Sequence, residues 1–201
     1  VEISEDYFAP QLAYFDMEDT FGVQGRIIGI DSDEIQDAGK YPSIRGLKIS
    51  TTKKFFPVVH NKPVPTFFLS GANALVDRKK LMELGGFCEL YSPFYGEDAD
   101  LCMRAWRAGW KCYYEHRSIC RHPASTTIAA YHQKRKIKTI SYRNRLIMHY
   151  LHFNGFRLFC WSLKTAADTL VKALILRITF FKGMAQFFRL FSKVRSYKKG
   201  I

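Results

Sequence analysis

Between residues 64 and 114 the chain alternates short apolar runs with clear stops. Val64–Leu69 (VPTFFL) reads as a strand broken at Ser70-Gly71, extended chain continues to Val76, and a helix over about Arg78–Leu84 closes on Gly85-Gly86. A second helix is expected from about Glu97 to Gly109, with a strand after it over Trp110–Tyr114 (WKCYY). Upstream, Phe8, Leu12 and Phe15 fall on one face of a short amphipathic helix over 6–16, and Gly22–Ile30 reads as a strand with a β-branched run. Residues 31–62 keep no period, only turn formers and basic residues, with one short strand expected at Phe55–Val59. Connections of that length inside a compact domain are usually functional loops. Strand, helix, loop, helix, strand is the order of an α/β chain.

After Thr126 the pattern changes. Residues 126–201 carry no strand signature and few turns, so three helices are expected, rich in Lys and Arg, with breaks at Gly155 and Gly183. In DTLVKALILRITFFKGMAQFFRLF the cations Lys172, Arg177 and Lys182 leave no apolar run longer than four residues, against the roughly 20 a membrane span needs. The tail therefore does not span. Two readings stay open: helices lying in the headgroup region with cationic side chains reaching outward, or helices packed on the domain with a solvated basic face.

Charge sharpens the division. Residues 1–100 hold 10 Lys/Arg against 16 Asp/Glu, whereas residues 101–201 hold 21 against 2, so a front of −6 precedes a back of +19. Such asymmetry points to an anionic partner for the second half: nucleic acid, an anionic membrane surface, or substrate phosphates. Hydrophobic residues make up 47% of the 201, which argues against disorder. Five cysteines without a CxxC pair indicate neither a disulfide framework nor a zinc site, and they read as reduced thiols packed as small hydrophobes. No leader is visible, and a start at Val1 suggests a piece of something longer.

Against this basic back stands FYGEDADLCMRAWRAGW, residues 94–110, with Glu97, Asp98 and Asp100 inside four positions. Carboxylates at a helix start are stabilised by free backbone N–H groups and the macrodipole, so a capped helix is one account of them. Capping needs a single acid, however, and a third like charge within one turn is repelled. The approach, SPFYG, would set aromatic faces such as Tyr95 beside the carboxylates, and His122 follows a strand that would carry an imidazole to one end of the sheet.

Taken in order, SGANALVDRKKLMELGGFCELYSPFYGEDADLCMRAWRAGWKCYYEHRSICRH resembles the second half of family 2 glycosyltransferases of the GT-A fold, especially rhamnosyltransferase-like members that build bacterial surface polysaccharides. The shared elements are a strand ending in Ser-Gly-Ala, an arginine-led helix closing in Gly-Gly-Phe, an aromatic turn into Glu-Asp-x-Asp-Leu, a helix ending in Ala-Gly-aromatic, and a strand ending in His. A looser likeness covers Tyr7–Lys40 and Tyr142-Arg143-Asn144-Arg145. The resemblance implies a partial GT-A (nucleotide-diphospho-sugar transferase) α/β fold with a mixed sheet over residues 1–125, followed by basic C-terminal helices over 126–201. It implies an inverting transfer from a nucleotide-sugar donor to a glycan or lipid-linked acceptor. Asp98 would be the general base, since a positioned carboxylate can take the proton of an attacking hydroxyl. Glu97 and Asp100 would hold the acceptor or orient the loop, Tyr95 would help bind substrate, and Ser70 and Gly71 would lie near the donor–acceptor junction. His122 would help bind a divalent metal, Mn²⁺ or Mg²⁺; a surface or packed histidine is the other reading.

In that family the donor half and the main Asp-x-Asp metal ligands precede the region matched here, so those ligands are expected upstream of residue 1 and this stretch by itself should bind donor poorly. Asp31-Ser32-Asp33 has the right letters but falls where the family has a variable turn. The basic tail would keep the enzyme in the cytoplasm at the inner face of the plasma membrane. A rival reading is a non-catalytic basic module binding membrane or nucleic acid through Arg143, Arg145 and Lys134-Arg135-Lys136, though no nucleic-acid motif accompanies them and no nucleic acid is expected. Another is a degenerate transferase half paired with a second subunit.

Overall fold

The computed structural model describes residues 2–40, 43–50, 62–122 and 133–201. They form two compact units: one of residues 1–43, 50–88 and 98–126, the other of 44–49, 89–97 and 127–201. The expected strand at Phe55–Val59 lies outside the described residues.

The first unit is built on a six-stranded mixed sheet. Its centre is a parallel pair, β2 (Thr20–Gly29) and β8 (Lys111–His122), running in register from Thr20 opposite Lys111 to Gly29 opposite His122. The free edge of β8 takes β1 (Glu2–Ile3) and β6 (Val64–Pro65), and that of β2 takes β7 (Ala74–Val76) and β3 (Ile35–Asp37), all antiparallel. Strand β2 is buried over almost its whole length, as a strand with neighbours on both edges should be. Strand β8 is longer than WKCYY suggested. Its register shifts at Glu115–Ser118, where Glu115 is buried against the Arg117 guanidinium (2.9 Å) and the Tyr14 hydroxyl (3.1 Å).

Helices flank this sheet. Helix α2 (Arg78–Glu83) is capped by the Asp77 side chain on the Lys80 N–H, and it stops where expected. The Gly85 N–H donates to Met82 and the Gly86 N–H to Leu81, the paired bonds that satisfy terminal carbonyls. Helix α3 (Glu97–Arg107) ends in the same way, with Gly109 to Trp106 and Trp110 to Ala105. Leu101, Cys102 and Ala105 of α3 pack with Phe21, Leu69 and Cys112 in one apolar cluster of the unit. Four of the five cysteines are buried and all are free thiols.

Two sequence expectations are corrected here. VPTFFL is a strand only at Val64–Pro65: the Thr66 amide still reaches the Cys112 carbonyl of β8 (2.8 Å), but the amides after it find other partners, Phe67 on the Lys40 carbonyl (2.7 Å), Leu69 on the Cys102 sulfur (3.2 Å) and Ser70 on Gln24 Oε1 (2.7 Å). The helix over 6–16 is divided into α1 (Ala9–Leu12) and a 3₁₀ turn (Ala13–Asp16), and its buried residues are Tyr7, Gln11 and Tyr14, while Phe8 and Leu12 are exposed. Gln11 replaces an apolar residue on that face because its amide donates to the Tyr7 carbonyl at 3.1 Å.

The second unit is helical, with a small hairpin, β4 (Ser43–Arg45) and β5 (Lys48–Ser50), contributing residues 44–49. The three expected helices are α4 (Lys134–His152), α5 (Gly155–Leu174) and α6 (Ile178–Lys198). Gly155 starts a helix, as expected of a break, but Gly183 lies inside α6. A Cβ there would meet the Thr139 carbonyl oxygen at 2.7 Å and the Tyr142 Cβ at 2.9 Å, so the glycine is the contact at which α6 crosses α4. The second break falls at Leu174–Arg177 instead, where Leu176 takes φ +49°. Among the described residues no helix is long and apolar enough to cross a membrane.

Candidate active site

The site grows from the start of α3. Asp98, its second residue, is half-buried and accepts a hydrogen bond from the Gly71 N–H on Oδ2 at 3.3 Å. Gly71 belongs to the turn that follows the redirected segment Phe67–Ser70, so the same departure from the sheet that shortens β6 delivers this amide to the carboxylate. A Cβ on Gly71 would meet only Asp98 Oδ2, at 3.8 Å, which leaves the space over this backbone open. Burial pushes the Asp98 pKa above the ordinary aspartate value. Hydrogen bonds from Gly71 and from the backbone of Asp98 and Ala99, with the nearby Lys40 charge, work against that rise without cancelling it.

Asp100, two residues on, is in a different environment. It has no exposed surface and pairs with Arg104 Nε at 2.9 Å, while the rest of that guanidinium donates to the Leu84 and Gly86 carbonyls at 2.7 and 2.8 Å. Asp100 therefore acts on the turn after α2 through Arg104. Glu97, the first residue of α3, is half-buried. Ser70 is half-buried and tied by its N–H to Gln24.

Tyr95 belongs to the helical unit. It is exposed, takes φ +75°, and meets the Phe94 ring edge-on at 4.9 Å. A bulky residue at positive φ stores strain of about 1–3 kcal/mol and persists only where its surroundings over-determine it. Those surroundings come from α4. The Asn144 side-chain amide lies 2.7–2.8 Å from the Tyr91, Phe94 and Tyr95 carbonyls, and the Arg143 guanidinium donates to those of Tyr91 and Ser92. The Arg143 donors thus hold the aromatic turn. This gives a structural reason for the Tyr142-Arg143-Asn144-Arg145 likeness.

His122 is the last residue of β8, half-buried and level with Gly29 of β2. Among the described residues no group of three His, Cys, Asp or Glu side chains could hold a metal ion. Of the expected ligands the described residues supply His122, and no step below passes through a metal. In the Asp31-Ser32-Asp33 turn, Asp33 is paired with Arg121 at 3.0 Å.

One neighbour of Asp98 had no signal in the sequence. Lys40 is buried, its ammonium 2.8 Å from Asp37 Oδ2 and 3.9 Å from the centre of the Phe68 ring, and its backbone brackets Thr66 and Phe67. It sits in the aperiodic stretch after residue 31, where no pattern distinguishes one lysine from another.

Against this geometry stands one comparison. A family model described as glycosyl transferase family group 2 matches residues 4–190. The chain belongs to that family. No curated protein matches it. As a family 2 glycosyltransferase domain it carries glycosyl transfer as its general chemistry, with a nucleotide-sugar donor and an acceptor as substrates. Its mixed sheet with flanking helices is consistent with a GT-A-like fold. The family match continues through α4 and α5 and into α6, well past the residues that carried the resemblance in sequence.

Proposed function

We propose that this domain is the acceptor side of an inverting glycosyltransferase with Asp98 as its general base. The acceptor hydroxyl attacks the anomeric carbon of the donor sugar, forming the new C–O bond while the bond from that carbon to the diphosphate oxygen breaks. The electron pair leaves with the nucleoside diphosphate, and the hydroxyl proton passes to Asp98. The observation that carries the reading is a half-buried carboxylate whose proton affinity is raised by burial, held by the Gly71 amide over open space. A base of raised pKa is better matched to neutral pH than an ordinary aspartate. Glu97 and Tyr95 would contact the acceptor, Ser70 and Gly71 the donor–acceptor junction, and Asp100 would orient the loop from inside. Mn²⁺ or Mg²⁺ on the donor diphosphate, with His122 as one ligand, belongs to the same proposal.

The acceptor in this reading is a glycan or lipid-linked glycan of surface polysaccharide, and the enzyme works in the cytoplasm on the inner face of the plasma membrane. What favours the membrane is α5: in 20 residues only Trp161 is buried, while Phe156, Phe159, Leu163, Leu170 and Leu174 are exposed on a helix that also carries Arg157, Lys164 and Lys172. Apolar side chains left in water beside cations suit an anionic bilayer surface.

The test is Asp98→Asn in the full-length protein. Transfer should fall by about 10²–10⁴-fold, the share a positioned base contributes, with thermal stability and vesicle binding retained. In the unaltered protein the acid limb of the kcat/KM profile should lie above the ordinary aspartate range, because activity is lost as pH falls through the raised pKa. Full transfer by the asparagine variant would remove Asp98 from the mechanism.

A further inference from the structure

Two cavities in the helical unit adjoin one another and differ in chemistry. The first, about 240 Å³, has four cations in its wall, Lys48, Arg145, Lys164 and Lys172, and a single acid, Asp168. The second, about 310 Å³, is walled by Tyr150, Met184, Phe187, Phe188 and Phe191 among other apolar groups. They share Leu146, Trp161 and Thr165, so the basic space opens along the same helices as the apolar one. We propose that together they hold one phosphate-headed lipid, its head in the basic cavity and its hydrocarbon chain in the apolar groove.

Charge accounting favours a multiply charged head. Asp168 engages Lys164 at 2.5 Å and Lys172 at 3.9 Å; among the described residues no carboxylate pairs with Arg145 or Lys48. One acid among four cations leaves a surplus of three positive charges, which a fatty carboxylate would offset by one and a phosphomonoester by nearly two. The histidine in the wall adds none. His149 Nδ1–H donates to the Arg145 carbonyl at 2.7 Å and Nε2 accepts the Ile49 N–H at 3.1 Å, an arrangement open only to the neutral ring. Its face stacks on Trp161 at 5.7 Å, making a flat wall where the two cavities meet. Arginine can grip a phosphate through two N–H groups, as a lone lysine cannot. A free phosphate or nucleic acid would use the cations and leave the groove empty; a hydrocarbon chain fills it.

Access fits a bilayer source. Lys164, Asp168 and Lys172 form one stripe of α5, and the exposed Leu163, Leu170, Val171 and Leu174 lie beside it on the same helix. The face that would enter the headgroup region thus carries one wall of the basic cavity. The inference rests on the proposed action at a membrane surface, and it assigns that surface a specific lipid rather than charge alone.

Trp161 lines both cavities and provides the signal. The full-length protein would be mixed with phosphatidylcholine vesicles doped with phosphatidic acid brominated in its acyl chains. Trp161 should be quenched, a change absent in Trp161→Phe, and several-fold weaker when the bromine is carried by phosphatidylcholine instead. The double variant Arg145→Gln/Lys172→Gln should weaken the phosphatidic acid response about tenfold, as loss of charge-assisted hydrogen bonds does. Lys193→Gln/Arg195→Gln removes the same charge from exposed positions of α6 and should change it by less than about twofold. Equal losses in the two doubles, equal quenching by brominated phosphatidylcholine, equal competition by oleate, or complete competition by inorganic pyrophosphate would each overturn the assignment. The outcome is independent of sugar transfer. A failed quench with transfer still dependent on Asp98 removes only the lipid site, and the converse removes only the base.

Discussion

Helices α4 and α5 have similar lengths, 19 and 20 residues, and both mix cations with large apolar side chains, yet α4 buries nine residues and α5 one. In α4 the buried set includes polar groups with work inside the unit. Asn144 holds the aromatic turn, and His149 holds the hairpin amide of Ile49. Among the described residues, helix α5 meets its neighbours through Trp161 and the cavity walls and leaves Phe156, Leu170 and Leu174 in solvent. The sheet unit repeats the contrast within one helix turn, where Asp100 is fully buried on Arg104 and Asp98 is partly exposed beside the Gly71 amide. Amphipathic sequence therefore does not separate a helix that builds the unit from one that offers a surface. The long-range polar bonds that α4 makes do.

The internal side of this contrast should break hardest at Arg104. Arg104→Ala leaves the fully buried Asp100 without its guanidinium and frees the Leu84 and Gly86 carbonyls, so stability should drop by about 3–5 kcal/mol, read as a large fall in Tm or failure to fold. Gly183→Leu drives a side chain into the Thr139 carbonyl where α6 crosses α4, at a cost of about 1–3 kcal/mol by denaturant melts.

Smaller effects sharpen the comparison. Burial pushes the His149 pKa below its usual value; the bond to the Arg145 carbonyl opposes that fall, while the charges of Arg145, His152 and Lys48 add to it. As pH drops, the unfolded chain takes up that proton first. Stability is therefore full above about pH 6.5 and declines as pH falls towards the folded value. Denaturant melts at a series of pH values should show that decline, and His149→Gln should flatten it. At the small end, Leu170→Ser with Leu174→Ser should change stability by less than about 1 kcal/mol, because both side chains are exposed and the cost is mainly helix propensity. Sedimentation with anionic vesicles should fall clearly in the same protein. Unchanged sedimentation would assign α5 to a purpose other than the bilayer.

Much of the site's scaffold is legible in the residues between 70 and 122. The helix stop at Gly85-Gly86, the acid-rich start of α3 and the stop at Gly109 all rest on interactions within a few residues, which a linear pattern reports directly. Most of what the pattern missed depends on partners distant in sequence: the short β6 on the Lys40 carbonyl that takes the Phe67 amide, and the helical Gly183 on the Thr139 carbonyl it lies against. The buried Gln11 is a local exception, settled by the Tyr7 carbonyl four residues away.

The sequence by itself determined which residue types gather at the start of α3, where the helices and turns around them begin and end, and that the second half of the chain is basic. Tertiary structure alone decided that Asp98 stays partly exposed while Asp100 is fully buried, that Lys40 lies within electrostatic reach of the former, and that α5 keeps its apolar side outside. Helix periodicity and capping are set by neighbours three or four positions apart. Burial, proton affinity and exposed faces are set by whichever distant segments the fold brings alongside.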